Sequence, residues 1–167
     1  MIIDNYTRIA GTTTGGVTTG KSIAAASNTT ITDTIDLQQA KDMGQGEDIY
    51  FVFTITTSFG STGDSYFQVG YGDTATPTNF YPFTTTTSYT QAELVAGRQI
   101  VCRLNPITLA STAVGYQTPI NARQYLCARV VTANNTSNTG AFLCDVVHGI
   151  QGNRQNYNSS FSFVAGA

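Results

Sequence analysis

Apolar and polar positions alternate most clearly over residues 49 to 57, where Ile49, Phe51, Phe53 and Ile55 fall on one parity and Tyr50, Val52, Thr54 and Thr56 on the other. A period of two is the signature of a strand, and the first set is the expected core face. Weaker versions of the pattern recur with turn signals between them. Residues 30 to 37 put Ile31, Ile35 and Leu37 on one side; residues 64 to 71 carry Tyr66, Phe67, Val69 and Tyr71 after the turn Gly60-Ser61-Thr62-Gly63. Residues 79 to 87 follow Pro77, and residues 98 to 104 alternate Ile100, Cys102 and Leu104 against Val101 and Arg103 until Pro106. Residues 123 to 132 and 141 to 150 read as a final hairpin whose tip, residues 133 to 140, is expected to be exposed because it is made of Asn, Thr, Ser and Gly. Thr90-Gln91-Ala92-Glu93 has the form of a capping box with Gly97 as a stop, which predicts a single helical turn. Many short strands with turns between them predict an all-β fold, a jelly-roll or β-sandwich of about eight antiparallel strands.

Before residue 29 the pattern thins. Residues 1 to 28 are dominated by Thr, Gly, Ser and Ala, and their apolar residues beyond Met1 and the alanines are Ile2, Ile3, Tyr6, Ile9, Val17 and Ile23. A segment of that composition buries too little surface to offset its own ordering entropy, so a flexible arm is expected over 1–28, a body over 29–152 and a polar tail over 153–167. The stretch from Asp36 to Asp48 gathers Asp36, Asp42, Glu47 and Asp48 with Gly44 and Gly46 just ahead of the best strand, and reads as solvated turn and cap chemistry at a junction.

Composition sharpens this. Only 11% of the 167 residues are charged, against roughly 25% in an ordinary soluble domain, and Thr, Ser, Asn and Gly take their place. Threonine suits a pleated surface, and the length suits one domain. A net charge of −2, with two lysines and six scattered arginines, provides no basic face for phosphates, so no nucleic-acid partner is expected. No run approaches the about 18 apolar residues of a membrane span, and Met1-Ile2-Ile3-Asp4-Asn5 lacks the features of a signal peptide, so neither membrane insertion nor export is expected.

Candidate chemistry is sparse. Cys102, Cys127 and Cys144 are odd in number and lie in strand-like segments, as buried thiols would. Together with His148 they show no ligand-pair spacing, so no metal and no cofactor are expected. Gly15-Gly16-Val17-Thr18-Thr19-Gly20-Lys21-Ser22 matches the phosphate-loop pattern, but no apolar strand feeds it and no long helix follows, so it reads as coincidence in a Gly/Thr-rich segment. His148 is the one imidazole, no G-x-S-x-G elbow surrounds any serine, and Cys144 and His148 would lie about 13 Å apart along one strand. A non-enzymatic role is expected. Sequons at Asn5, Asn28, Asn134, Asn135 and Asn158 arise by chance in so much Thr and Asn. The aromatics between Tyr66 and Tyr89 are read mainly as core, with Tyr71, Tyr81 and Tyr89 as possible surface aromatics.

The order of several short motifs carries a resemblance. Met1-Ile2-Ile3-Asp4, Thr34-Ile35-Asp36-Leu37, Ala40-Lys41-Asp42-Met43-Gly44-Gln45-Gly46-Glu47, Leu94-Val95-Ala96-Gly97-Arg98 and Arg123-Gln124-Tyr125-Leu126 occur in the sequence in which they stand in the jelly-roll capsid cement (decoration) proteins of tailed bacteriophages, which this chain resembles over most of residues 1 to 150. The loop 107–122, the hairpin tip 134–139 and the tail 153–167 are longer than in that family. The resemblance implies a structural virion protein on the outer face of the capsid, made in the bacterial host cytoplasm. It would bind the major capsid protein, bridge its subunits, stabilise the expanded shell, and associate with itself as a homodimer, or alternatively a homotrimer. A capsid-contacting arm would then use Ile2, Ile3, Tyr6, Arg8 and Ile9. The competing expectation is a carbohydrate- or receptor-binding β-sandwich module of a phage appendage, using the aromatics from Tyr66 to Tyr89.

Overall fold

The computed structural model of the chain describes residues 8–25, 27–36, 49–103, 124–134 and 137–148. They form an antiparallel β-sandwich. Twelve strands occur among the described residues, running in chain order as β1 (Arg8–Ala10), β2 (Thr12–Thr14), β3 (Val17–Thr19), β4 (Lys21–Ser22), β5 (Thr29–Ile31), β6 (Ile35–Asp36), β7 (Ile49–Gly60), β8 (Ser65–Gly72), β9 (Phe80–Thr85), β10 (Gln99–Arg103), β11 (Tyr125–Thr132) and β12 (Thr139–His148). One sheet has the order β1-β12-β7-β10, with β4 also pairing with β12; the other runs β5-β11-β8-β9, with β6 also pairing with β11. The count exceeds the expected eight partly because the first 28 residues contribute four strands of their own.

The parity read over 49 to 57 is the one the sandwich uses. Ile49, Phe51, Phe53, Ile55 and Phe59 of β7 are buried in the core, opposite Phe67, Val69 and Tyr71 of β8 and beside Phe142, Cys144 and Val146 of β12. Phe53 and Phe67 close the gap between the sheets with ring centroids 4.8 Å apart, and Phe142 lies 6.3 Å from one and 6.5 Å from the other. Tilted and edge-on aromatic pairs of this kind add about 0.5–1.5 kcal/mol each beyond the area they bury. The second parity is apolar too: Tyr50, Val52 and Val147 are buried as a separate cluster on the outer side of the same sheet, with Val101 packed against them.

The parity read over 30 to 37 is corrected. Thr30 and Thr32 are buried while Ile31 is half-buried, although Ile35 does pack on the core. The reason is hydrogen bonding. The Thr32 hydroxyl accepts the Ala128 amide at 2.9 Å and the Thr30 hydroxyl accepts the Ala24 amide at 2.9 Å, so both buried polar groups replace missing ladder bonds. The helical turn over 90–93 forms as a single 3-10 turn, Gln91–Glu93, in which the Glu93 carboxylate accepts both the Thr90 amide and the Thr90 hydroxyl.

The separate arm is also corrected for its described part. Residues 8–25 are built onto the body: β1 pairs with β12 through Arg8 and Ala10 opposite Asp145 and Cys144, β4 pairs Lys21 and Ser22 with Phe142 and Ala141, and Ile9, Ala10 and Ile23 are in the core. What composition alone could not order is ordered by an edge already present. The hairpin tip expected to be exposed is half wrong in the same way. Asn138 is buried, and its side-chain amide donates to the carbonyls of Ser27 and Asn134 at 2.9 Å each, tying the tip to the segment before β5. The junction 37–48, the loop 107–122 and the tail 153–167 lie outside the described residues.

Candidate functional site

Two surfaces collect the residues of interest. The first is built by the N-terminal strands. Gly15 and Gly16, both with positive φ (59° and 81°), make the two-residue turn between β2 and β3, a Gly-Gly hairpin signal of the usual kind. This hairpin forms a two-stranded sheet of its own, outside both main sheets. Gly11 seats it. A side chain there would collide with Leu143 of β12 and with the Thr19 carbonyl, so only glycine lets the hairpin turn away from β1 so close to the sheet. Val17, at the far end of the hairpin, is 67% exposed, the most exposed of the large apolar side chains among the described residues.

Arg8 pins the base. Its Nε lies 2.7 Å from Asp145 Oδ1, and a terminal nitrogen donates to the Thr13 hydroxyl at 2.5 Å, so one guanidinium joins β1, β2 and β12. Asp145 is 2% exposed, and a carboxylate so placed needs its cation. Arg8 is therefore an internal clamp. Ile9, at 1% exposure, is core, which corrects its assignment to a capsid-contacting set. Ile2, Ile3 and Tyr6 lie outside the described residues.

The phosphate-loop match ends in this region. Gly15 to Ser22 is a hairpin followed by β4, Lys21 pairs across the sheet with Phe142, and its ammonium lies 2.8 Å from Asp33 Oδ1. A phosphate loop requires a glycine loop opening into a helix, and here the chain continues as strand. All three cysteines are free and buried. Burial pushes the Cys102 thiol up to about 11 and the Cys127 thiol up to about 12, and it raises Cys144 well above the usual thiol range. Inert thiols result. Among the described residues, no group of three or more His, Cys, Asp and Glu side chains is arranged to hold a metal.

The second surface is the outer face of the β5-β11-β8-β9 sheet. Of the three possible surface aromatics, Tyr71 is fully buried in the core, a correction that follows from its parity with Phe67 and Val69. Tyr81 and Tyr89 are half-buried. Tyr81 pairs with Tyr71, whereas Tyr89 bridges Ser65 and meets Phe67 edge-on. Those contacts lie four to six positions apart on β8, about 13–20 Å of strand, so the two rings do not share a patch. What the face does assemble is centred on Arg129. In register across four strands stand Ile31, Arg129, Gln68 and Thr85. Arg129 Nε donates to Gln68 Oε1 at 2.5 Å, the Gln68 amide donates to the Thr85 hydroxyl at 3.0 Å, and the guanidinium carbon lies 4.6 Å over the Phe80 ring. Sequence reasoning passed over this group. Its only signal is an arginine set on the outer parity of an apolar strand.

The Bbp16 family model matches residues 17–146. The chain belongs to the Bbp16 family. That match spans every described strand from β3 to β11 and nearly all of β12, so this member's sandwich and both surfaces, apart from β1 and β2, fall within the family's extent. No curated protein matches the chain. One solved structure with some likeness is that of the Clostridium thermocellum N-terminal endo-1,4-β-D-xylanase 10B CBM22-1-GH10 modules complexed with xylohexaose, at 12% identity and a TM-score of 0.34, over 85% of this chain and 28% of that one. This Bbp16 member thus spans little more than a quarter of that structure's length, and a likeness at this level carries nothing further.

Proposed function

We propose that this Bbp16-family protein is a structural virion component that binds the outer surface of a phage capsid and stabilises the expanded shell by bridging major capsid subunits. The observation that carries the reading is the β2–β3 hairpin. It stands outside both sheets, is clamped at its base by Arg8 and Gly11, and presents Val17 to solvent. A projecting, anchored ribbon with an apolar tip is suited to docking on another protein, because its ordering entropy has already been met by the body. The ordered resemblance to cement proteins supports the same reading, and repeated copies on a closed shell would turn modest contacts into firm attachment. In this reading the residues preceding Arg8, with Ile2, Ile3 and Tyr6, extend the contact, and the protein acts as a homodimer, or alternatively a homotrimer.

Co-sedimentation with expanded, undecorated heads of the parent phage tests it. The wild-type chain is expected to saturate the heads and raise their resistance to heat, and Val17→Asp is expected to bind at least tenfold more weakly, about 1.4 kcal/mol, while melting as the wild type does. Heads that fail to bind the wild-type chain would remove the proposal.

A further inference from the structure

Arg129 is held at two points, and among the described residues no carboxylate pairs with it. Its Nε is fixed by Gln68, a side chain only 8% exposed whose amide is in turn fixed by Thr85, and its plane rests on Phe80. Among the described residues it makes no ion pair, whereas the other clamped arginine, Arg8, has Asp145. A carboxylate or phosphate is the acceptor that matches the guanidinium's terminal N–H groups two at a time, and a guanidinium already held in place loses little entropy on meeting one. A guanidinium held in one orientation by neutral partners, with its charge unpaired among the described residues, is suited to act as a binding anchor.

We propose that the outer face of the β5-β11-β8-β9 sheet is a docking surface whose anchor, Arg129, receives a carboxylate side chain from a protein partner. Charge complementarity sets the partner's chemistry. The surroundings decide its class: Ile31 stands directly across from Arg129 on β5, and Val131 and Tyr66 form the next pair on the same parity, all half-buried. An arginine ringed by aliphatic and tyrosyl side chains is the composition of a protein–protein anchor. The Phe80 face, a platform on which a saccharide ring could stack, is already occupied by the guanidinium.

The test rests on the capsid reading for its partner but fails separately from it. Wild-type chain, Arg129→Gln, Arg129→Lys and Phe80→Leu are compared for binding to expanded heads over a range of salt, with Arg129→Gln required to melt like the wild type. The expected result is a loss of at least tenfold in affinity for Arg129→Gln with a shallower salt dependence, little rescue by lysine, and an intermediate loss for Phe80→Leu, which keeps the charge and removes its platform. Should Arg129→Gln melt early, Phe80→Leu and Arg129→Lys decide the outcome. Wild-type affinity in all three variants overturns the anchor and leaves the capsid reading standing; no binding by the wild type overturns both. Binding of polygalacturonate that disappears in Arg129→Gln would assign the site to an acidic polysaccharide and overturn the protein partner.

Discussion

Asp73 organises the turn between β8 and β9. Its two oxygens accept the amides of Thr78 and Asn79, the Thr78 hydroxyl and the Asn79 side-chain amide, all between 2.7 and 3.2 Å. Desolvation works against the charge, and these bonds outweigh it, so the carboxyl is held well below its ordinary value. A depressed carboxyl stabilises the fold above its unfolded-state value of about 3.9 and gives that up as pH falls below it. Melting temperatures of wild type and Asp73→Asn are therefore expected to differ near neutrality and to converge in acid. The thiols have the opposite sign. With Cys102 and Cys127 raised, the neutral form is the native one, so their contribution is complete below about pH 8.5 and declines above it. A thiol-specific disulfide reagent at pH 8 should find no reactive cysteine in the native chain and three after unfolding in urea. Asn138→Ala removes the donor to two carbonyls inside the fold and should cost about 1–3 kcal/mol, read as a shift in denaturation midpoint.

At the level of elements, the N-terminal strands are the ones to probe. Arg8→Ala leaves Asp145 buried beside no cation and should destabilise by about 3–5 kcal/mol, more than an ordinary surface arginine would. Arg8→Lys should recover only part of this, since a lysine cannot join Asp145 and Thr13 through one planar group. This clamp also marks where the sequence stops being readable. β7 could be read because four large apolar residues alternate without interruption, and the final hairpin because two apolar runs flank a tip of Asn, Thr, Ser and Gly. β1 and β4 could not, since a three-residue and a two-residue strand have no period, and their order comes from β12, more than a hundred residues away. The spacing puts Tyr71 on the parity of Phe67 and Val69; its hydroxyl is what suggests a surface position, and the ring is nonetheless core. Arg129 was invisible as a site because its partners, Gln68 and Phe80, lie on other strands, and only register brings them together.

For the whole molecule, the core between the sheets sets stability, and Phe53→Ala, which empties a fully buried site between Phe67 and Phe142, should cost about 3–5 kcal/mol. Nucleotide should leave the melting temperature unchanged, since Gly15 to Ser22 is a hairpin and a strand, and a shift with ATP that vanishes in Lys21→Ala would contradict that. The way β12 is used has a consequence in time. It is the last described strand, yet β1, β4 and β7 all pair with it, Arg8 reaching it across 137 positions. On the ribosome, the first strands must wait for nearly the whole sandwich to be synthesised before the edge they pair with exists. Folding of this edge is then governed by distant closures, expected in milliseconds to seconds. Nascent chains arrested before residue 139 should remain protease-sensitive through residues 8–25, with one edge of β7 open to the pairing of other chains.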